Sequence, residues 1–262
     1  MRRTHITTVI LLLIISPSLF ASTHFMEKGM KMYGEGIYPF SSSLLDSACL
    51  YFSKAIDKDK ACWKAYFHRA KVYMMQGKLD EAIRDFEKAQ FHIPSGEFSL
   101  KSSIRSLVYI LKGRGRNPLM LSQAIDKVCD RGEGFPYTVE KTALIKPFAD
   151  NYGEKGKKRL ATVLYQQCIN SLELTIPMLG ESGDQLHLTH CHYMLGCLYR
   201  NVGGVMKAEQ YFSKAGRGYV KLQMWDRAAI SYKNAGECIE KEDRLEEAVE
   251  SYKTAAECFK RA

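Results

Sequence analysis

One pattern constrains this chain more than any other: small and aromatic residues recur every 20 residues through its last third. Ala208, Phe212, Ala215, Gly216 and Tyr219 are followed by Ala228, Tyr232, Ala235, Gly236 and Ile239, then by Ala248, Tyr252, Ala255, Ala256 and Phe259. An upstream block, His192, Leu195, Gly196 and Tyr199, holds the same register without its leading alanine. Within each block the spacings of three and four place these residues on one side of a helix. A helix with one apolar face buries it only by stacking on neighbours. The expectation is an all-α fold, an α-solenoid of antiparallel helix pairs.

Composition agrees with helices. The chain has 262 residues, 46% of them hydrophobic, and only seven prolines. Its Lys, Glu, Ala and Leu content suits helices, and it lacks the Val, Ile and Thr alternation of an all-β protein. The net charge of +9 is unevenly placed. Residues 101–160 carry 13 basic against 6 acidic side chains, whereas 22–100 and 161–262 are close to balance. An excess of this kind is commonly a solvated face, and otherwise it draws acidic partners. No aromatic residues interleave with Arg114, Arg116, Lys155, Lys157, Lys158 and Arg159, so nucleic acid is not expected as a partner.

Further helices can be placed upstream. Phe25 to Gly36 reads as a first helix, Leu44 to Ile56 as a second with Ala48, Phe52 and Ala55 on one side. Tyr66, Ala70 and Tyr73 mark the next, Gly77 a turn, Ala82, Phe86 and Ala89 its partner, and Pro94 the end of the unit. This spacing resembles a tetratricopeptide repeat, a 34-residue helix-turn-helix with aromatic, small and proline positions at these offsets. Arg69 departs from it, standing where a leucine is usual. His192 to Ala215 and Tyr232 to Ala255 fit the same template 40 residues apart. That longer period is similar to the helix pairs of SNAP-like adaptor proteins, notably in Ala235-Gly236-Glu237 after Trp225-Asp226-Arg227-Ala228-Ala229. The resemblance implies a tetratricopeptide-like superhelix and covers about 33–94 and 187–262. Four segments follow: 1–21, 22–95, an irregular basic helical stretch over 96–186, and 187–262. In the third, Phe98 to Leu111, Leu119 to Arg131 and Lys158 to Met178 are predicted helices, and 131–136 and 151–157 are turns.

Residues 1–21 have the layout of an export signal. Arg2 and Arg3 precede an apolar run, Ile6 to Ile15, then a helix break at Ser16-Pro17-Ser18 and a small residue, Ala21, at which cleavage is expected. The run is short for a membrane span, which needs ~20 residues. The expected location is therefore exported, periplasmic or secreted, with an uncleaved membrane anchor as the alternative. Eight cysteines in an exported chain ordinarily suggest disulfides. Helix geometry disfavours sequence neighbours: Cys238 and Cys258 would lie ~15 Å out of step along antiparallel helices, against a limit of ~7 Å. Buried free thiols are expected instead.

Chemistry-bearing clusters are few. Gly113 to Arg116 forms a short basic loop without the preceding strand or the lysine-hydroxyl ending of a phosphate loop. His187, His190 and Cys191 fall at i, i+3 and i+4, a spacing that suits zinc, but only Asp184 stands near to complete a set. His192 more simply fills an aromatic slot of the repeat. No nucleophile–base pattern is present, and we assign no catalytic residue, no metal and no cofactor. Helical spacing places Lys64, Phe67, Lys71 and Met74 on one side of the first repeat, and His190, Tyr193 and Arg200 on the equivalent side of a later one. Family resemblance implies that such faces line a concave groove where peptides dock. The lysine and asparagine clamp of chaperone-binding relatives is not reproduced, since Met26, Met30 and Glu35 populate the first helix and His68 replaces an expected arginine. The expected function is a non-catalytic protein-interaction scaffold for a protein or peptide partner, an acidic one being favoured by the basic middle. The alternatives are a membrane-tethered SNAP-like adaptor in assembly or trafficking, or an accessory subunit of an enzyme complex.

Overall fold

The computed structural model describes residues 17–37, 41–114, 118–129 and 135–262. The apolar run Ile6 to Ile15, and residues 115–117 and 130–134 of the two basic loops, lie outside these. Among the described residues there are twelve α-helices and no strand. They are α1 (Pro17–Ile37), α2 (Ser42–Lys58), α3 (Trp63–Met75), α4 (Leu79–His92), α5 (Phe98–Tyr109) and α6 (Pro118–Val128), then α7 (Phe135–Glu154), α8 (Lys158–Ser182), α9 (Gln185–Asn201), α10 (Val205–Lys221), α11 (Trp225–Glu240) and α12 (Leu245–Arg261). They form two compact units, Met1–Val128 and Cys129–Ala262. The boundary falls inside the stretch 96–186 that sequence set apart.

Several elements differ from their sequence expectation. The first helix starts at Pro17 rather than Phe25, because proline at the first helical position lacks only an N–H that would have no intrahelical partner. Ser22, beside the expected cleavage point, is buried and donates a hydrogen bond to the Ala55 carbonyl (3.2 Å). α5 stops at Tyr109 and continues as a π-turn over Ile110–Arg114, with Gly113 at φ +74°. α7 has no counterpart in the sequence reading, and its ends run into the turns expected over 131–136 and 151–157; Pro147 lies in its interior, where proline normally breaks a helix.

The turn chemistry explains the 20-residue period. α9, α10 and α11 each end in a left-handed residue, at Gly203, Gln223 and Asp243. The following N–H reaches back to close the turn: Gly204 to Tyr199 O (2.8 Å), Met224 to Tyr219 O (2.9 Å), Arg244 to Ile239 O (3.3 Å). The left-handed residue bonds the next carbonyl along, Gly203 to Arg200 O, Gln223 to Val220 O and Asp243 to Glu240 O. This is the Schellman termination, and Gly77 and Gly156 close α3 and α7 in the same way. Gln223 and Asp243 hold the conformation without being glycine, at a steric cost. Gln223→Gly is expected to raise stability by about 0.5–1 kcal/mol, the relief exceeding the added chain entropy; a denaturant midpoint measures it.

Between the turns, small residues let helices approach. A Cβ built at Gly196, Gly216 or Gly236 would lie 2.6, 2.8 or 2.7 Å from the ring of Phe212, Tyr232 or Tyr252 on the next helix. Sixteen residues separate each glycine from its aromatic, so the repeat itself sets the contact. In the first unit Phe52 of α2 covers Gly29 of α1 in the same manner (2.6 Å). Cys49, Cys62, Cys168, Cys191, Cys197, Cys238 and Cys258 are free thiols. Burial pushes the thiols of Cys168 and Cys191 up to about 12, so they behave as small apolar groups.

Candidate functional site

Arg69, the departure from the repeat pattern, forms a buried ion pair. Its Nε and Nη2 donate to the two carboxylate oxygens of Asp85 on α4 (2.6 and 2.9 Å), and its Nη1 donates to Ser53 Oγ on α2 (2.8 Å). Side-chain exposure is 16% for Arg69 and 6% for Asp85. The arginine thus ties three helices together where other repeats use an apolar side chain.

The stripe on α3 falls mostly in the interior of the first unit. Phe67, Lys71 and Met74 are buried, and Lys64 alone is exposed. Tyr33 of α1 is the reason: the Lys71 ammonium lies over the Phe67 and Tyr33 rings (4.9 and 5.6 Å), and Tyr33 also meets His68 edge-on. α1 thus lies against the side that the resemblance assigns to a groove.

The second stripe is brought together. His190, Tyr193 and Arg200 of α9 face Arg227, Asn234 and Glu237 of α11. Arg200 Nη1 donates to Asn234 Oδ1 (3.0 Å) and reaches Glu237 (3.4 Å), while Asn234 Nδ2 donates to the Tyr193 hydroxyl (3.5 Å). Phe212 and Tyr219 of α10 form a floor beneath, with ring centroids 5.7 Å from Tyr193 and 5.5 Å from His190. Arg200 also sits over the Phe212 ring (5.4 Å), a cation–π contact that holds the guanidinium in place. About a third of the Arg200 and Glu237 side chains is exposed. This row therefore presents a guanidinium, an amide and a carboxylate already fixed by one another, suited to hydrogen-bonding an extended chain. Sequence reasoning found the α9 members from helical spacing. It missed Arg227, Asn234 and Glu237 because they lie two helices on, at separations of 34 to 41 residues that no local pattern marks.

His190 is a floor residue more than a surface one. Burial, with Arg227 beside it, lowers its pKa to about 4, and neutral Nε2 accepts from Arg227 Nη1 (2.8 Å). His192, half-buried near Lys214 and Arg217, is also lowered to about 4. His187 pairs with Asp184, the residue that caps α9 by accepting the His187 N–H, and Cys191 is in the core. The three residues with zinc-like spacing are thus engaged in different directions. Folded-state values below the ordinary 6.5 mean that the unfolded chain binds more protons as pH falls from about 6.5 toward 4. Stability is expected to decline across that window, and His190→Gln or His192→Gln to flatten the slope of denaturant midpoint against pH.

The class these features define is a helical-repeat protein. Within it, residues 63–95 match the tetratricopeptide repeat model, and residues 149–262 match the model of the soluble NSF attachment protein, SNAP, family. Both are the resemblances expected from sequence. Two solved structures overlap the chain. One, of the MamA protein, is 17% identical over 92% of this chain and 93% of that one, with a TM-score of 0.35. Another, also of MamA, is 16% identical over 84% and 92%, with the same score. No curated protein matches the sequence. Repeats of the tetratricopeptide and SNAP kinds indicate protein–protein interaction.

Proposed function

We propose that this chain is a non-catalytic scaffold that holds a peptide or protein segment against the α9–α11 face of its second unit. The carrying observation is the row of Tyr193, Arg200, Asn234 and Glu237, half-exposed and fixed above the Phe212–Tyr219 floor. Preorganised side chains lose little freedom on binding, which favours affinity from a small contact area. Arg200 supplies the positive charge that an acidic segment requires, and the basic excess over 101–160 adds long-range attraction. In the first unit only Lys64 of the α3 stripe is offered to a partner.

A photo-crosslinking side chain placed at position 234 in the native host tests this reading. Capture of a defined partner that is lost with Arg200→Ala and weakened by salt supports it. Equal capture from position 181, an exposed control, overturns it. Export is part of the proposal. The Ser22 hydrogen bond to Ala55 survives a cut before Ser22, so a mature chain starting there keeps α1 docked. Mass spectrometry of the mature N-terminus distinguishes this from an intact Met1, which would favour the membrane-tethered SNAP-like adaptor.

A further inference from the structure

Arg227 differs from the other half-buried arginines of the described residues. Arg69 and Arg200 each reach a carboxylate, at Asp85 and Glu237 respectively. Arg227 pairs with none among the described residues: its Nη1 donates to neutral His190 Nε2 (2.8 Å), and the other group that acts on it is the Tyr219 hydroxyl, which burial keeps protonated. Asp226 precedes it in sequence and Asp184 acts on His190 from the start of α9, but Asp184 is engaged by His187 and neither offsets Arg227. Burial therefore holds the Arg227 guanidinium below its ordinary value, whereas at Arg69 burial is outweighed by Asp85. Its place adds to the cost, because it lies in the first turn of α11, the positive end of the helix dipole. A partly desolvated cation with no counter-ion is unfavourable in the free protein.

We propose that Arg227 seats a carboxylate of the segment bound at the α9–α11 face, an inference that rests on that assignment. The charge matches a monoanion. A phosphate carries about −1.5 to −2 at neutral pH, while the face offers one cation without an acid, since Arg200 shares its charge with Glu237. The geometry also fits: with Nη1 turned to His190, the remaining donors of the planar fork are left for two carboxylate oxygens. His190 stays neutral, its pKa lowered to about 4, so it orients the guanidinium without adding charge. Asn234 lies two turns further along α11, about 10 Å from Arg227 along the axis. An extended chain covers that distance in about three residues, so the acidic group lies about that far from the backbone that meets Asn234 and Arg200. An acidic side chain and a chain-terminal carboxylate share this chemistry.

Selection of short random peptides on the full chain tests this, with the peptides displayed inside a loop in one arm and with a free C-terminus in the other. Enrichment of Asp or Glu at one fixed position in both arms assigns an acidic side chain; enrichment of binders in the free-terminus arm alone assigns the terminal carboxylate. Arg227→Gln is expected to remove that preference and to weaken a selected peptide at least about tenfold. Arg227→Glu turns the preference toward Lys or Arg, and Lys214→Gln, which removes an exposed charge outside the row, leaves it unchanged. In the free chain Arg227→Gln is expected to leave the denaturant midpoint unchanged or raised, because it removes an uncompensated charge and keeps an amide donor for His190. An acidic preference that survives Arg227→Gln, or a midpoint that falls with it, overturns the subsite and leaves the scaffold reading standing. A selection that returns no binder overturns both.

Discussion

Asp85→Ala is expected to destabilise the first unit by about 3–5 kcal/mol, because it leaves the Arg69 guanidinium inside the protein without its carboxylate. Both side chains are nearly enclosed, and two of the arginine's donors go to Asp85. Removing the charge and its partner together should be far milder. Arg69→Leu with Asp85→Ala restores the leucine usual in this repeat and is expected to lie within about 1 kcal/mol of the wild type, since apolar replacement of a buried pair is often neutral. A double-mutant cycle read by denaturant unfolding checks both values. If Asp85→Ala and the double variant lost the same stability, the ion pair would not be the cause.

Gly196→Ala is expected to destabilise the second unit by about 1–3 kcal/mol, opposite in sign to the usual effect of alanine in a helix. At an open helical position alanine gains about 1 kcal/mol over glycine. Here the added carbon would sit 2.6 Å from Phe212, which is fully buried and has no room to withdraw, so overpacking strain exceeds the propensity gain. Gly180 of α8 provides the contrast, because nothing lies within 4 Å of its Cβ direction. Gly180→Ala should be neutral or stabilising by up to about 1 kcal/mol. Thermal or denaturant unfolding of the two variants side by side tests the difference; destabilisation of both alike would remove the close-approach argument.

Much of the helical framework was legible before any coordinates. Ala82, Phe86 and Ala89 predicted α4, and the 20-residue repeat predicted α10, α11 and α12, because local periodicity reports which side of a helix is apolar. Gly77 marked a turn for the same local reason. Gln223 and Asp243 gave no such signal, since only the backbone reveals that they take the glycine conformation. The early start of α1 was hidden by Pro17, read as a helix break, whose place within a helix depends on what surrounds it; α7 carried no repeat pattern to mark it. At the candidate site, spacing found His190, Tyr193 and Arg200 but not the α11 side chains that hold Arg200 and Tyr193.

What the sequence determined by itself was the class of fold and the two kinds of repeat, carried by small and aromatic residues within one or two turns of each other. Exposure was decided by tertiary structure alone. Lys71 and Arg200 occupy comparable stripes in sequence, yet Tyr33 of α1 encloses the first, while α11 pairs the second and leaves it partly open. Helical periodicity states which residues share a side; only the packing of distant helices states whether that side meets solvent.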